Sequence, residues 1–366
     1  MEITVKPKAN LLFSSYLLLF VIVGNQVGIG VMGFQRIIFR EAGHDSWISV
    51  IIAGISTHLV AWVMLKTLDL YGSTDLYGIH EDVYGKWLGR IFSSLYIAFL
   101  LMGALIVLRN YIEVVQTWMF PDAPAWLFAV LLLFLMVYGV SGGIRVIVGF
   151  CFLSLFFTIW MLLLLIYPYQ YAEWIYLSPV MEASMIQLLK GAKEMTLTIV
   201  GFEILYFIFP FLKEKEKAGR YTHLGLLLTT CCYLLIMIVS TIYYSEDQIL
   251  QAIWTTFMMF NVIQLPFLER FEFVGISLWI LAIMPNLLLY TWAATRGMKR
   301  IFQWKQKHAL YLFTIVLFGV SIFLNTRLKI NALNDFSGKF SFYIVYVYPF
   351  ILFIIAWFRK WLKRKI

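Results

Sequence analysis

The chain has 366 residues, of which 62% are hydrophobic and only 13% are charged, and its mean hydropathy is +0.83. Soluble globular proteins carry about 25% charged residues, so this composition excludes an ordinary soluble fold and predicts an integral membrane protein. The net charge of +9 is expected from basic residues on cytoplasmic loops and does not indicate nucleic-acid binding.

Apolar segments follow one another along almost the whole chain. At about 20 residues per crossing, ten of them can span a bilayer. They are residues 11–39, 47–68, 91–118, 124–140, 145–167, 190–212, 221–244, 266–297, 309–324 and 341–360. The first, third and eighth are overlong and are expected to tilt, break or project. We therefore predict an all-α integral membrane protein with one multispan domain over residues 1–366.

The basic residues predict the orientation of the chain. Most of the 29 Lys and Arg residues fall at the termini or on alternate loops, such as Lys213–Arg220. By the positive-inside rule, both termini lie in the cytoplasm of a multi-pass protein of the cell membrane. On the opposite side, a helix is predicted to begin after Ser245 and to run for about four turns to Phe260 as an outer cap. The alternative is a partial eleventh span.

The first span contains an unusual cluster of small and amide residues. The cluster comprises Gly24, Asn25, Gln26, Val27, Gly28, Ile29 and Gly30. Glycine and asparagine are poor helix formers. Irregular backbone survives in hydrocarbon only where protein buries it or where it lines a wet cavity. The segment is therefore either a tightly packed helix or a helix interrupted at a ligand site.

The sixth span contains a second candidate interruption. It comprises Gly201, Phe202 and Glu203, with Thr198 one turn earlier. Desolvation favours the neutral form of an unpaired carboxylate at this depth. Interrupted helices at matching positions in two halves of opposite topology indicate a transporter-type site. We predict a 5+5 inverted repeat, about residues 11–167 and 190–360, in which helices 1 and 6 are interrupted.

The two interruptions together suggest the chemistry of a ligand. Unpaired N–H groups at a half-helix end suit a carboxylate, whereas exposed carbonyls and Glu203 suit an ammonium group or a cation. An amino acid carries both charges, and the aromatic residues, 18% of the chain, can line a pocket for its side chain. We predict a small amino-acid-like ligand between spans 1 and 6, and no cofactor or metal.

Further polar residues at membrane depth mark a possible polar path. They are His58 in span 2 and Arg109, Asn110 and Glu113 in span 3. His58 is expected to bond to neighbouring hydroxyls or carbonyls, with a proton relay as the alternative. Arg109 and Glu113 are four residues apart on one helix face, so they can pair, either to offset desolvation or beside a wet path.

Span 8 begins with charges and contains a proline deeper in the membrane. Glu269, Arg270 and Glu272 are predicted to form an ion-pair anchor at the outer end rather than a ligand contact. Pro285 can kink the helix and leave the amide of Asn286 facing the ligand.

Several of these motifs carry a resemblance to a known family. They are the break in span 1, Gly201–Glu203, the basic loop Lys213–Lys217 and, most specifically, Phe267–Glu272 followed by Trp279, Ala293, Ala294, Gly297, Met298 and Lys299. The sequence resembles the spore germination permeases, the B subunits of GerA-type nutrient germinant receptors, which are similar to amino acid–polyamine–organocation transporters. The resemblance implies a nutrient-sensing subunit of the spore inner membrane, in complex with A and C subunits.

Other interpretations of the sequence stay open. A stand-alone amino acid symporter coupled to H⁺ or Na⁺ would use the same site, with Glu203 as the proton carrier. A scaffold that binds nothing predicts that Gly28→Leu or Glu203→Gln leaves the ligand response intact. An enzyme is not predicted, because the sequence has no nucleophile–base set, metal-ligand spacing or phosphate loop.

Overall fold

The structure is a computed structural model that describes residues 3–263 and 270–365. In these ranges the chain is helical, apart from turns and one isolated bridge between Phe13 and Leu212. The first half contains α1 (Leu17–Gln26), α2 (Phe34–Ala42), α3 (Ser46–Asp69), α4 (Leu76–Trp118), α5 (Ala125–Ser141), α6 (Ile144–Thr158) and α7 (Ile166–Tyr169). The second half contains α8 (Met185–Glu194), α9 (Thr196–Ile199), α10 (Leu205–Ile208), α11 (Ala218–Tyr243), α12 (Glu246–Gln251), α13 (Thr255–Phe260), α14 (Phe271–Phe302), α15 (Gln306–Phe323), α16 (Arg327–Ser341) and α17 (Tyr348–Lys365).

Most of these helices are apolar on every face, as expected for a protein surrounded by lipid. Seven helical stretches of the described chain are long and apolar enough to cross a membrane, and three shorter apolar helices accompany them. Large apolar side chains such as Phe134, Leu163 and Ile315 are exposed on the surface of the bundle. The chain is therefore a multi-pass membrane protein. The ten-span count and the two inverted repeats stay predictions.

The centre of the bundle is built around α1 and α14. Helix α1 packs against α6, α11 and α14, and α14 runs along most of α4. The end of the bundle that carries the loop Lys213–Arg220 is called the basic end below. The other end carries α12 and α13 and is called the cap end.

Two of the helical spans are interrupted. Helix α1 ends at Gln26, and a 3-10 turn over Ile29–Met32 leads into α2. Helix α9 ends at Ile199, and a 3-10 turn over Phe202–Ile204 leads into α10. The interruptions expected from the sequence at Gly24–Gly30 and Gly201–Glu203 are thus present.

Some predicted boundaries are wrong. The sixth span begins at Met185 rather than at residue 190, and the last span is preceded by α16, which continues through a π-helical turn, Phe342–Val347, into α17. Hydropathy misses α16 because that helix is largely polar. The third span is extended by a first arm of α4 that turns back at Gly85, whose φ of 78° suits glycine.

The predicted cap helix begins at the expected place but is not continuous. Ser245 and Gln248 form a capping box at the start of α12. The helix ends at Gln251, and α13 begins only at Thr255. The chain turns at Ala252–Trp254, which brings Ile253 and Trp254 to the cavity described next.

Candidate functional site

A cavity of about 450 Å³ opens beside the first interruption. Its polar wall near the two interruptions is formed by neutral side chains, namely Asn25, Gln26, Thr198, Asn286 and Tyr290. Its apolar wall includes Phe34, Phe99, Ile106, Val107, Val200 and Phe342. Its charged lining residues lie on α2, α8 and α16, away from the interruptions, and are Arg40, Glu41, Lys193, Glu194, Arg327, Asp335 and Lys339. The cavity lining thus combines neutral polar side chains from the interruptions with side chains of both charges from α2, α8 and α16.

Glycines let the backbone of the first interruption approach its neighbours closely. A Cβ atom on Gly28 would lie 2.8 Å from Asn286 Oδ1, and one on Gly30 would lie 3.0 Å from the Thr198 Oγ1. Gly28, Ile29 and Gly30 all line the cavity. The main chain itself therefore forms part of the cavity surface.

Side chains of α1 hold the two interruptions together. Asn25 Nδ2 donates to the Gly201 carbonyl at 2.6 Å, and Gln26 Nε2 donates to the Ile199 carbonyl at 2.6 Å. Asn286 Nδ2 donates to the Gly24 carbonyl at 2.8 Å. The Gly24, Ile199 and Gly201 carbonyls therefore each already accept one side-chain amide.

Two of these side-chain amides also have an oxygen that accepts no hydrogen bond. Asn25 Oδ1 and Gln26 Oε1 are buried, and neither has a hydrogen-bond partner in the described part of the chain. Both residues line the cavity. A buried amide oxygen without a partner costs about 1–3 kcal/mol, so a donor group that reached either oxygen would stabilise this region.

In the second interruption Val200 lines the cavity, whereas Gly201, Phe202 and Glu203 face the protein core. Glu203 is fully buried, and its carboxylate accepts from the Gly201 N–H at 2.7 Å and from the Tyr290 hydroxyl at 3.0 Å. Gly201, Phe202 and Glu203 do not line the cavity, nor do Gly24 and Val27. Tyr290 does line it, so a single hydroxyl separates the buried acid from the cavity.

The polar residues of the possible path have partners other than those predicted. His58 Nδ1 lies 2.9 Å from Nδ1 of His223, and the two rings are stacked, whereas hydroxyl or carbonyl partners were expected. Glu113 pairs with Arg327 at 2.6 Å, while Arg109 Nε donates to the Leu324 carbonyl at 2.5 Å. The predicted Arg109–Glu113 pair is wrong, because Arg327 of α16 pairs with Glu113 and the Leu324 carbonyl at the end of α15 accepts from Arg109.

Only some of these path residues reach the cavity. Asn110 lines it and exchanges two hydrogen bonds of 3.0 Å with Asn334 of α16. His58, Arg109 and Glu113 do not line it. At the start of α14, Arg270 pairs with Glu272 at 2.8 Å, as expected of an ion-pair anchor, whereas Glu269 lies outside the described residues.

Sequence reasoning missed two tyrosines that organise the site. Tyr290 follows Asn286 by one helical turn on the same face of α14, and that spacing is a signal that could have found it. Tyr233 of α11 is fully buried, and its hydroxyl lies 3.1 Å from the Gln26 carbonyl and 3.2 Å from the Thr198 carbonyl. One phenol therefore bridges the two interruptions.

The arrangement of helices is that of a known class of membrane transporters. The fold is similar to that of a Na⁺-coupled sialic acid symporter in a substrate-bound outward-open state, with a TM-score of 0.62 and 10% identity over 95% of this chain and 76% of the other. It is also similar to a manganese transporter of Eremococcus coleocola, with a TM-score of 0.61 and 13% identity over 98% of this chain and 88% of the other. These similarities define the fold as that of these transporters.

Sequence comparison then gives the family. Residues 13–330 match the model of the family described as spore germination protein. The chain is 36% identical to the spore germination protein GerQB of Bacillus cereus, over 96% of this chain and 97% of that protein. It is 23% identical to the spore germination protein YndE of Bacillus subtilis, over 94% and 95% of the two chains. The chain belongs to the spore germination protein family, which confirms the resemblance seen in the sequence.

Proposed function

We propose that this chain is the nutrient-sensing membrane subunit of a germinant receptor and binds a small amino acid in the cavity beside α1. The observation that carries the proposal is the pair of unpartnered amide oxygens, Asn25 Oδ1 and Gln26 Oε1, which belong to two cavity-lining residues and are buried just behind the cavity surface. An ammonium group has three donors and no acceptor, so it would satisfy either oxygen once a side-chain rotation exposes that oxygen to the cavity. The neutral polar side chains of the lining also suit a ligand whose two charges cancel.

The rest of the ligand would occupy the surfaces next to these oxygens. Backbone N–H groups that follow an interruption lack helical partners, so the segment Gly28–Gly30 is a suitable contact for the carboxylate. The apolar wall formed by Phe99, Val107 and Val200 would take the side chain. Binding can change the balance between two helix arrangements only through a difference in affinity for them.

We infer that the ligand signal is passed to other subunits of the membrane complex. The family members named above are spore germination proteins, which supports a place in such a receptor. We propose A and C subunits as partners in the spore inner membrane. The loop Lys213–Arg220 is one candidate contact.

The test is binding of amino acids to the full chain in lipid nanodiscs. An equimolar mixture of the twenty L-amino acids is expected to raise the melting temperature, after which single amino acids identify the ligand. Asn25→Ala is expected to abolish the shift. Gln116→Ala is the control, because Gln116 also donates its amide to a main-chain carbonyl, that of Ala123, but lies away from the cavity. The absence of any shift in the wild type would contradict the proposal.

A stand-alone symporter is the second candidate, and one observation favours it. Glu203 lies one hydroxyl behind the cavity wall, where a carried proton could be linked to ligand binding. Uptake of a labelled amino acid mixture into vesicles containing only this chain would favour the symporter. Binding without uptake would favour the receptor subunit.

A further inference from the structure

A pair of histidines lies on the outer surface of the bundle, where the proposed ligand site does not use it. His58 of α3 and His223 of α11 approach each other with their Nδ1 atoms 2.9 Å apart and their rings stacked. Both side chains are partly exposed, and neither lines the cavity. The pair therefore joins two neighbouring helices on a face that is open to the surroundings of the protein.

The two histidines lie at the depth of the hydrocarbon core. Phe34–Asp69 and Lys215–Tyr243 are two of the helical stretches that can cross a membrane. At 1.5 Å per residue, His58 lies about 16 Å from the end of α3 and His223 about 8 Å from the start of α11, both measured from the basic end. A hydrocarbon core about 30 Å thick therefore encloses both rings, in the half nearer the basic end.

Exposed apolar side chains surround the pair. They are Ile55, Leu59 and Trp62 on α3 and Leu224 and Leu227 on α11. Each of them lies within about one helical turn of one of the histidines. Apart from the two imidazoles at its centre, this surface is therefore of the kind that faces lipid.

The hydrogen bond between the rings determines what their outer nitrogens offer. It is the one hydrogen bond of each ring among the described residues, so neither Nε2 atom has a partner there, and neither is fully buried. One ring donates from Nδ1, so its Nε2 is an acceptor. The other ring accepts at Nδ1, so its Nε2 carries the proton and is a donor. The neutral pair therefore presents one donor and one acceptor.

Lipid tails cannot satisfy these two nitrogens. Ionisable side chains in membrane spans almost always face protein or a wet cavity, because an unsatisfied polar group in hydrocarbon is costly. A carboxamide or a protonated carboxyl group also has one donor and one acceptor, so it complements the pair. Hydrogen bonds of this kind join transmembrane helices to one another. The chemistry thus fits a neighbouring helix better than it fits lipid.

The same surface continues to the basic end. Arg220 precedes His223 by one helical turn on the same face of α11 and ends the loop Lys213–Arg220. On α3, Lys66 lies two turns beyond His58, with its Nζ 5.9 Å from the centre of the Trp62 ring. The surface is therefore continuous with the loop that is a candidate contact for other subunits.

We propose that the surface around the two histidines docks a transmembrane helix of another subunit that carries one Asn, Gln, Asp or Glu side chain at the depth of the pair. This side chain donates to one Nε2 and accepts from the other, while the surrounding apolar residues pack against the rest of the helix. The surface adds a contact within the membrane to the proposed receptor complex, and it rests on that complex for the source of the helix. It does not depend on nutrient binding.

The experiment uses the full chain in liposomes and three synthetic transmembrane helices of about 20 Leu and Ala residues with flanking Lys. The helices differ at one central position, which is Gln, Glu or Leu. Energy transfer from the tryptophans of the chain to a dansyl group on the helix measures binding. The wild type is expected to bind the Gln and Glu helices about five- to tenfold more tightly than the Leu helix, as hydrogen bonds between membrane helices allow.

Matched variants test whether the histidines cause this preference. The double variant His58→Leu/His223→Leu keeps the surface apolar and is expected to bind the three helices equally. Each single variant, His58→Leu or His223→Leu, is expected to show a smaller preference than the wild type. His308→Leu is the control, because it changes an exposed histidine at the start of α15, a helix that does not pack on α3 or α11. It should keep the full preference.

Three outcomes would overturn the proposal. The first is equal binding of the three helices by the wild type, and the second is an unchanged preference in the folded histidine variants. The third is a wild-type dimer that the double variant loses, measured by size-exclusion chromatography with light scattering, because a second copy of the chain would then occupy the surface. The melting-temperature shift with amino acids, measured on the same preparations, tests nutrient binding independently.

Discussion

The two interrupted spans differ in what they present to the cavity. The first interruption lines it with backbone and with Asn25 and Gln26. The second contributes Val200 to the apolar wall and directs Glu203 into the core, to Gly201 and Tyr290. The first is thus suited to contact a ligand, and the second to support that surface. Two interruptions at matching depth therefore need not have matching roles.

The largest expected effect tests the supporting role of the second interruption. Gly201 has a φ of 124°, and a Cβ atom there would collide with the Asn25 carbonyl. We expect Gly201→Ala to destabilise the protein by several kcal/mol, since backbone strain costs about 1–3 kcal/mol and overpacking about 1–3 kcal/mol more. Thermal melting followed by size-exclusion chromatography in detergent measures the loss.

The matched change in the first interruption is Gly28→Ala. The backbone at Gly28 has a negative φ, and the atoms nearest to the new methyl group would be those of the Asn286 side-chain amide. We expect this variant to fold with a smaller loss of stability but to bind amino acids more weakly. Equal destabilisation by the two substitutions would contradict the division of roles.

A second prediction concerns the phenol that joins the two interruptions. Tyr233→Phe leaves the Gln26 and Thr198 carbonyls without this donor, which is expected to cost about 1–3 kcal/mol. Because both interruptions lose the same support, amino acid affinity should fall as well. Tyr111→Phe is the control, since it removes a single bond far from the interruptions and should lower stability alone. Melting temperature and amino acid affinity, measured on both variants, test whether the Tyr233 hydroxyl supports the binding site.

The sequence was sufficient to predict where the helices break. A cluster of glycines and amides within an apolar run is detectable without a structure, and so is a single acid such as Glu203 in the middle of a span. The face toward which that acid points was not predictable. Helical periodicity assigns faces only while the helix is regular, and the left-handed Gly201 rotates the chain just before Glu203.

Other residues of the site could not be predicted from hydropathy, because they lie on a polar helix or have no distinctive sequence pattern. Arg327 and Asn334 lie on α16, which hydropathy excluded as a loop although it lines the cavity. Tyr233 and Tyr290 are two of 21 tyrosines, and only the spacing between Asn286 and Tyr290 marks either of them. Partners that come from distant segments, such as His223 for His58, require the tertiary fold.

The smallest expected effect concerns a contact at the basic end, where Ser15, just before α1, bonds to Glu214, just after α10. The Ser15 N–H donates to the Glu214 carboxylate at 3.0 Å, and the Ser15 hydroxyl donates to the Glu214 carbonyl at 2.7 Å. The backbone bond from Ser15 lowers the pKa of Glu214 below its ordinary value of 4.5. The carboxylate therefore contributes stability above the unfolded-state pKa, and this contribution is lost as the pH falls through the folded-state pKa.

Two variants separate the carboxylate from the hydroxyl in this contact. Glu214→Gln removes the charge, so its melting temperature should fall less than that of the wild type as the pH drops below about 4.5. Ser15→Ala keeps the backbone N–H, the largest cause of the lowered pKa, and loses the hydroxyl, so it should melt slightly lower at every pH while keeping most of the wild-type pH dependence. If Ser15→Ala also removed the pH dependence, the hydroxyl rather than the main chain would control Glu214. The contact between Ser15 and Glu214 would then depend on the serine side chain. In that case the two interrupted spans would be held together more weakly at the basic end than beside the cavity.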